Sequence, residues 1–119
     1  MELDMTDPGG AESTFNLAHA RFFRVLGDAT RLALVQELLV GPRTVSELVA
    51  KLGLPQSRVS NHLACLRWCN FVTTERKGRQ VTYSISDTRM RQLLRLATHL
   101  IGQDQQRLAE STRIGPDWL

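Results

Sequence analysis

Cys65 and Cys69, the two cysteines of the chain, stand four residues apart in "NHLACLRWCN", residues 61–70. On a helix this spacing puts both thiols on one face, where they can converge on a single ion. As thiolates they favour soft or borderline ions such as Cd(II), Pb(II), Hg(II) or Zn(II) over Mg(II) or Ca(II). The residues just upstream offer a different chemistry. Gln56, Ser57, Arg58, Ser60, Asn61 and His62 carry amide, hydroxyl, guanidinium and imidazole groups suited to base edges and phosphates. On a wheel at ~100° per residue, Val59, Leu63 and Leu66 fall on the core side, while Ser57, Ser60, Asn61 and Ala64 fall away from it. Arg58, His62, Cys65 and Cys69 form a third stripe along the flank.

The surrounding elements must hold this helix in place. Phe15, Ala18, Phe22, Val25 and Leu26 recur at helical spacing from Thr14, and Gly27 ends that run. Asp28 is a natural N-cap for "ATRLALVQELLV", whose buried stripe is expected at Leu32, Val35, Leu38 and Leu39, with Gly41-Pro42 as the stop. Thr44 and Glu47 form a capping box for "TVSELVAKLG", which buries Val45, Leu48, Val49 and Leu52. Pro55 then suits the first turn of the cysteine-bearing helix. Two short helices joined by a tight Gly-containing turn predict a helix-turn-helix. Beyond Asn70 the period changes: "FVTTER" and "QVTYSIS" read as strands around the basic tip "KGR". This hairpin is a wing, and Arg76, Lys77 and Arg79 at its tip suit phosphates or a minor groove. Ser86 should cap a long last helix with Met90, Leu93, Leu94, Ala97, Leu100 and Ile101 on one side.

The expected fold is therefore mainly α with a small β-hairpin, a winged helix-turn-helix in the order α-α-α-α-β-β-α. Residues 1–13 read as a flexible acidic arm, 14–110 as the DNA-binding and dimerisation domain, and 111–119 as a tail. Amphipathic helices left over at both ends predict a homodimer through the first and last helices. A dimer also suits a reader of two operator half-sites in double-stranded DNA.

Bulk properties set the outer bounds. At 119 residues the chain is one domain in size, and its 42% apolar and 23% charged content is that of an ordinary globular protein. No apolar run could span a bilayer and no signal pattern opens the chain, so a cytoplasmic protein without a membrane partner is expected. Cysteines in that compartment stay reduced. Net charge is only +3, but the acids Glu2, Asp4, Asp7 and Glu12 crowd the first thirteen residues. Residues 57–80 set Arg58, Arg67, Arg76, Lys77 and Arg79 against the lone acid Glu75, as expected of a face that meets a polyanion.

The stretches "FFRVLGDATRLALVQELL", "TVSELVAKLGLPQSRVSNHLACLRWCNFV" and "GRQVTYSISD" together resemble the ArsR/SmtB family of metal-sensing repressors, over roughly residues 15 to 101. The resemblance implies a winged-helix homodimer that holds operator DNA when metal-free and releases it on binding metal. The arsenic-type C-V-C motif is absent, since Thr44-Val45-Ser46 stands in its place. The zinc-type set on the last helix is broken, with Arg89 two residues after Asp87 and His99 alone. "CLRWC" matches the cadmium- and lead-responsive CmtR-like branch, which assigns Cys65 and Cys69 as metal ligands. That branch takes a third thiolate from near the C-terminus, and this chain has no third cysteine. His99, Asp104, Glu110, Asp117 or water are the candidate replacements, whereas Hg(II) accepts two thiolates alone.

The expected function is a non-enzymatic repressor with a soft divalent metal, Cd or Pb first and Hg or Zn next, as effector. One rival keeps the DNA binding and makes the thiols report oxidation, although i, i+4 cysteines lie near the outer range of disulfide geometry. Another is a DNA-binding protein with no ligand. A thiol oxidoreductase is disfavoured, because the chain has neither a C-x-x-C motif nor a base placed beside a nucleophile.

Overall fold

A computed structural model describes residues 10–111. Of the expected arm and tail, only Gly10–Ser13 and Ser111 are among them; Asp117 lies outside. Among the described residues, no helix is long and apolar enough to cross a membrane. The fold divides into one unit ending at Asp87 and a second beginning at Thr88.

In the first unit, α1 (Thr14–Leu26) begins where the Ser13 hydroxyl accepts from the Asn16 N–H at 3.0 Å. α2 (Ala29–Val40) follows after Gly27 and Asp28, and the Asp28 carboxylate caps it as the sequence predicts. Its buried residues are Thr30, Leu34, Val35 and Leu38. The expected stripe is thus rotated: Leu34 is fully buried, whereas Leu32 and Leu39 are half-buried, because neighbours cover α2 over more than one face. α3 (Val45–Leu52) carries the predicted capping box, with both reciprocal bonds between Thr44 and Glu47 formed.

Gly53 takes the left-handed conformation at φ 66° and ends α3, after which the chain turns into α4 (Gln56–Trp68). Pro55 occupies the N-cap position rather than the first turn, and no side chain caps this helix. Val59, Leu63 and Leu66 are fully buried, so the predicted core face of α4 is correct.

The helix ends earlier than the sequence suggests. Cys69 is its C-cap, and Asn70 follows in the left-handed region at φ 61°. The Phe71 N–H donates to the Leu66 carbonyl at 2.8 Å, and the Asn70 N–H to the Arg67 carbonyl at 3.1 Å. These two bonds, with buried Phe71 folded onto buried Leu66, make a Schellman closure in which Asn replaces the usual glycine.

The wing is β2 (Val72–Lys77) paired antiparallel with β3 (Gln80–Ile85), turning at Gly78-Arg79 with a positive φ at Gly78. A short strand, β1 (Arg43–Thr44), pairs with the other side of β3 and makes a three-stranded sheet in the order β1-β3-β2. Two residues are too few for a pattern of alternation, so the sequence did not reveal β1.

In the second unit, the expected long helix is two. α5 (Met90–Ile101) has no side-chain cap, so Ser86 does not start it; the Ser86 N–H instead donates to the Phe71 carbonyl at 3.0 Å. Gly102, at φ 59°, separates α5 from α6 (Gln105–Glu110). Leu96 and Leu100 on α5 are 57% and 80% exposed.

Two substitutions test these assignments by urea unfolding. Leu63→Ala should cost about 2–5 kcal/mol, since it opens a cavity where Leu63 is wholly enclosed. Asn70→Val should cost about 1–2 kcal/mol through the left-handed backbone alone, and Asn70→Gly should not.

Candidate functional site

Burial of Val59, Leu63 and Leu66 fixes the rotation of α4 and so decides where its other two stripes point. Gln56, Ser57 and Asn61 are exposed and Ser60 is half-exposed, which leaves small polar groups along the free face near the N-terminus. Arg76, Lys77 and Arg79 are exposed on the wing, where Lys77 sits 3.9 Å from Glu75 in a solvated pair.

The third stripe is turned toward α2 and α1. The Arg58 guanidinium donates to the Thr30 hydroxyl at 3.2 Å. His62, with its side chain 20% exposed, has Nδ1 4.0 Å from the Asp28 carboxylate and 3.5 Å from Nη1 of Arg31. A neutral imidazole can accept from Arg31 there, and a protonated one pairs with Asp28. The Arg31 N–H, then the charges of His62 and Arg31 and the Thr30 N–H, together outweigh desolvation and hold the Asp28 carboxyl below its usual range. Arg58 and His62 therefore anchor α4 as well as standing beside its exposed polar face.

Further along the same stripe, Cys65 is half-buried and Cys69 is exposed, and both thiols are free. The Cys69 N–H donates to the Cys65 carbonyl at 3.1 Å, so the backbone between them remains helical. Desolvation, then the charge and a side-chain hydrogen bond of Cys65, push the Cys69 thiol up, against a smaller opposing effect of Arg31.

Cys69 also forms part of a cleft of about 250 Å³ whose remaining walls are Ala18, Arg21, Phe22 and Val25 of α1 together with Phe71. The rings of Phe22 and Phe71 pack there with centroids 4.9 Å apart. Sequence reasoning missed the α1 side of this wall and missed Arg31, since neither lies near the cysteines along the chain.

The site as it stands offers two sulfur ligands. Among the described residues, no three His, Cys, Asp or Glu side chains gather to hold a metal. His99 is exposed on α5, Asp104 is 3.9 Å from Arg107, and Glu110 accepts from Gln106. His19 is occupied within α1, its Nδ1 2.7 Å from the Phe15 carbonyl. Two thiolates match a soft ion of low coordination number, or one whose remaining positions are filled by water or another chain.

Residues 28–74 match the family described as "Bacterial regulatory protein, arsR family", a span that begins at the α2 cap and ends inside β2. The chain is 45% identical over 95 residues to a probable mercury resistance operon repressor of Streptomyces lividans, covering 80% of this chain and 76% of that one. The chain belongs to the ArsR family. ArsR-family proteins are DNA-binding transcriptional regulators rather than enzymes, as the sequence led us to expect. The transcriptional regulator CmtR of Mycobacterium tuberculosis is 44% identical over 77 residues, just under two thirds of either chain at 65%. The solution structure of the cadmium metal-sensor CmtR from the same organism superimposes with a TM-score of 0.55 at 41% identity, over 71% of this chain and 85% of that one. The winged helix-turn-helix architecture and the family resemblance are both borne out.

The raised Cys69 thiol gives a signed expectation. Its alkylation by iodoacetamide should accelerate as pH rises through a midpoint above that of an ordinary cysteine, because only the thiolate reacts. The rate is read by mass spectrometry in the unaltered chain and in a Cys65→Ser background, which removes the two contributions of the Cys65 thiol to the shift. The midpoint should fall toward the ordinary value there, relative to Cys69 in the unaltered chain.

Proposed function

We propose that the chain is a metal-responsive repressor that binds operator DNA as a homodimer and releases it when a soft heavy-metal ion is captured by Cys65 and Cys69. The observation that carries this reading is the pair of adjacent free thiols at the end of the helix whose other end bears the exposed Gln56, Ser57 and Asn61. Reader and sensor share one rigid element, so an ion at its C-terminal half acts on its N-terminal half without an intermediary domain.

In the DNA-bound dimer, α4 lies in the major groove. Gln56, Ser57, Ser60 and Asn61 meet base edges, Arg58 and His62 flank them, and Arg76, Lys77 and Arg79 on the wing contact phosphates. Apolar side chains left in solvent on α1 and, separately, on α5 supply the dimer contact. Leu17 and Phe23 are 42% and 56% exposed in the first group, and Leu96 and Leu100 stand out in the second.

The names of the relatives support the class of effector, one being a mercury resistance operon repressor and another a cadmium sensor. Cd(II) and Pb(II) need a further ligand, from water or from His99, Asp104, Glu110 or Asp117 of either subunit. Hg(II) is satisfied by the two thiolates, and Zn(II) is the hardest of the four. Metal capture displaces thiol protons, so affinity should rise with pH until Cys69 is ionised.

The test is fluorescence anisotropy of the reduced protein on labelled DNA from its own upstream region, titrated with Cd(II), Pb(II), Hg(II) and Zn(II). One of these soft ions should release the DNA at near-stoichiometric concentration, and a Cys65→Ser/Cys69→Ser variant should bind DNA equally well and ignore it. Release that persists in the double variant would overturn the assignment of the cysteines. On the same assay, Arg76→Ala, Lys77→Ala and Arg79→Ala should each weaken binding without changing sequence preference. Each should also make log affinity less steep against log salt, by about 0.9 for every phosphate that is no longer neutralised.

A further inference from the structure

Arg31 of α2 has contacts that link the last turn of α1, beside the Cys69 cleft, to His62 on α4. We propose that Arg31 is the positioning residue through which capture of an ion at Cys69 reaches the DNA-reading half of α4; the inference rests on the function proposed above. Nε of Arg31 donates to the Val25 carbonyl at 2.6 Å, and Nη2 donates to the Arg24 carbonyl at 3.3 Å. Both carbonyls belong to the last turn of α1; the Arg24 carbonyl also accepts from the Gly27 N–H at 3.2 Å, and Arg31 adds a side-chain donor to each. The remaining arm of the same guanidinium, Nη1, stands 3.5 Å from Nδ1 of His62 on α4. The Arg31 backbone is held in turn, its N–H donating to Asp28 at 3.0 Å, and Asp28 also faces His62.

Val25 gives this linkage its input. Its carbonyl is bound by Arg31, and its side chain lines the cleft that Cys69 and Phe71 close from the other side. An ion held at Cys69 would sit at the edge of a cleft that Val25 and Phe22 also line. Interiors of this kind respond by discrete repacking rather than by smooth compression. Displacement of the α1 end moves two carbonyls fixed to one rigid plane, and the opposite edge of that plane meets His62. His62 is one residue from Asn61 and two from Ser60, in the part of α4 assigned to the operator.

The planarity of the guanidinium is what matters. A lysine at position 31 keeps the charge but offers a single compact ammonium, which cannot hold two carbonyls and an imidazole in fixed relation. Charge alone would make Arg31→Lys neutral, whereas a geometric linkage makes it an uncoupling substitution.

The experiment compares the full-length reduced protein with its Arg31→Lys variant, using Cd(II) and Hg(II) as probes and three readouts. Thiolate-to-metal charge-transfer absorption reports metal affinity, anisotropy reports DNA affinity with and without metal, and imidazole NMR reports His62 among the three histidines. In the unaltered chain, metal should weaken DNA binding by about 5–150-fold, the usual range for allosteric coupling, and Arg31→Lys should compress this to less than about threefold. Metal affinity and metal-free DNA affinity of the variant should stay close to those of the unaltered chain. The His62 resonances should move on metal loading in the unaltered chain and stay still in the variant.

An unaltered coupling ratio in Arg31→Lys overturns the linkage while leaving the repressor reading intact. If metal fails to release DNA from the unaltered chain, yet still moves His62 through Arg31, the repressor reading falls and the linkage stands. Should the variant not fold, the unaltered chain alone decides: His62 resonances that do not respond to metal overturn the proposal.

Discussion

Everything in the first unit depends on the burial of three side chains. Val59, Leu63 and Leu66 lie at zero exposure against α2, α3 and the strands, and they lock the rotation of α4 about its own axis. A turn of the helix by one residue, ~100°, would bring Ser60 and Ala64 inward and send the thiols elsewhere. No hydrogen bond at the site could oppose such a rotation by itself, since each contributes only about 0.5–1.5 kcal/mol net. The core therefore sets the aim of the reading face and the cysteine face together, and neither can be re-aimed without the other.

The flank stripe shows how a surface feature becomes a structural one. Arg58, His62, Cys65 and Cys69 occupy one side of α4, and each of the first two is claimed by α2 through Thr30, Asp28 or Arg31. Cys69 is claimed by the cleft against α1. The two free thiols and the contacts that dock the helix thus share one side of α4.

Much of this was legible in the sequence. The Asp28 cap, the Thr44–Glu47 box, the core face of α4 and the wing all followed from local chemistry: short polar caps, helical period, β-branched runs around a glycine. The errors were of a different kind. The buried side of α2 was misplaced because several neighbours cover it, and a helix buried broadly has little amphipathic signal to read. β1 was too short to show a period, and the break at Gly102 was concealed by apolar spacing that continues up to it. At the site, the thiol pair and the polar face could be seen because they are contiguous. Arg31 could not, since it lies 31 residues from His62 and its role exists only once α2 crosses α4. An arginine three residues after a capping aspartate was the one available hint.

The Schellman closure at Asn70 has an electrical consequence. By ending α4 at Cys69, it puts that residue at the C-terminal pole of the helix, where the aligned peptide dipoles amount to about half a negative charge. The opposite pole, at Gln56, has no side-chain cap and carries the matching positive end. Thirteen residues at about 1.5 Å each separate the two poles by roughly 20 Å. One element thus presents an attraction for anions at one tip and for cations at the other. Extending the helix past Asn70 would carry the negative pole away from Cys69 and lengthen the distance between the two ends.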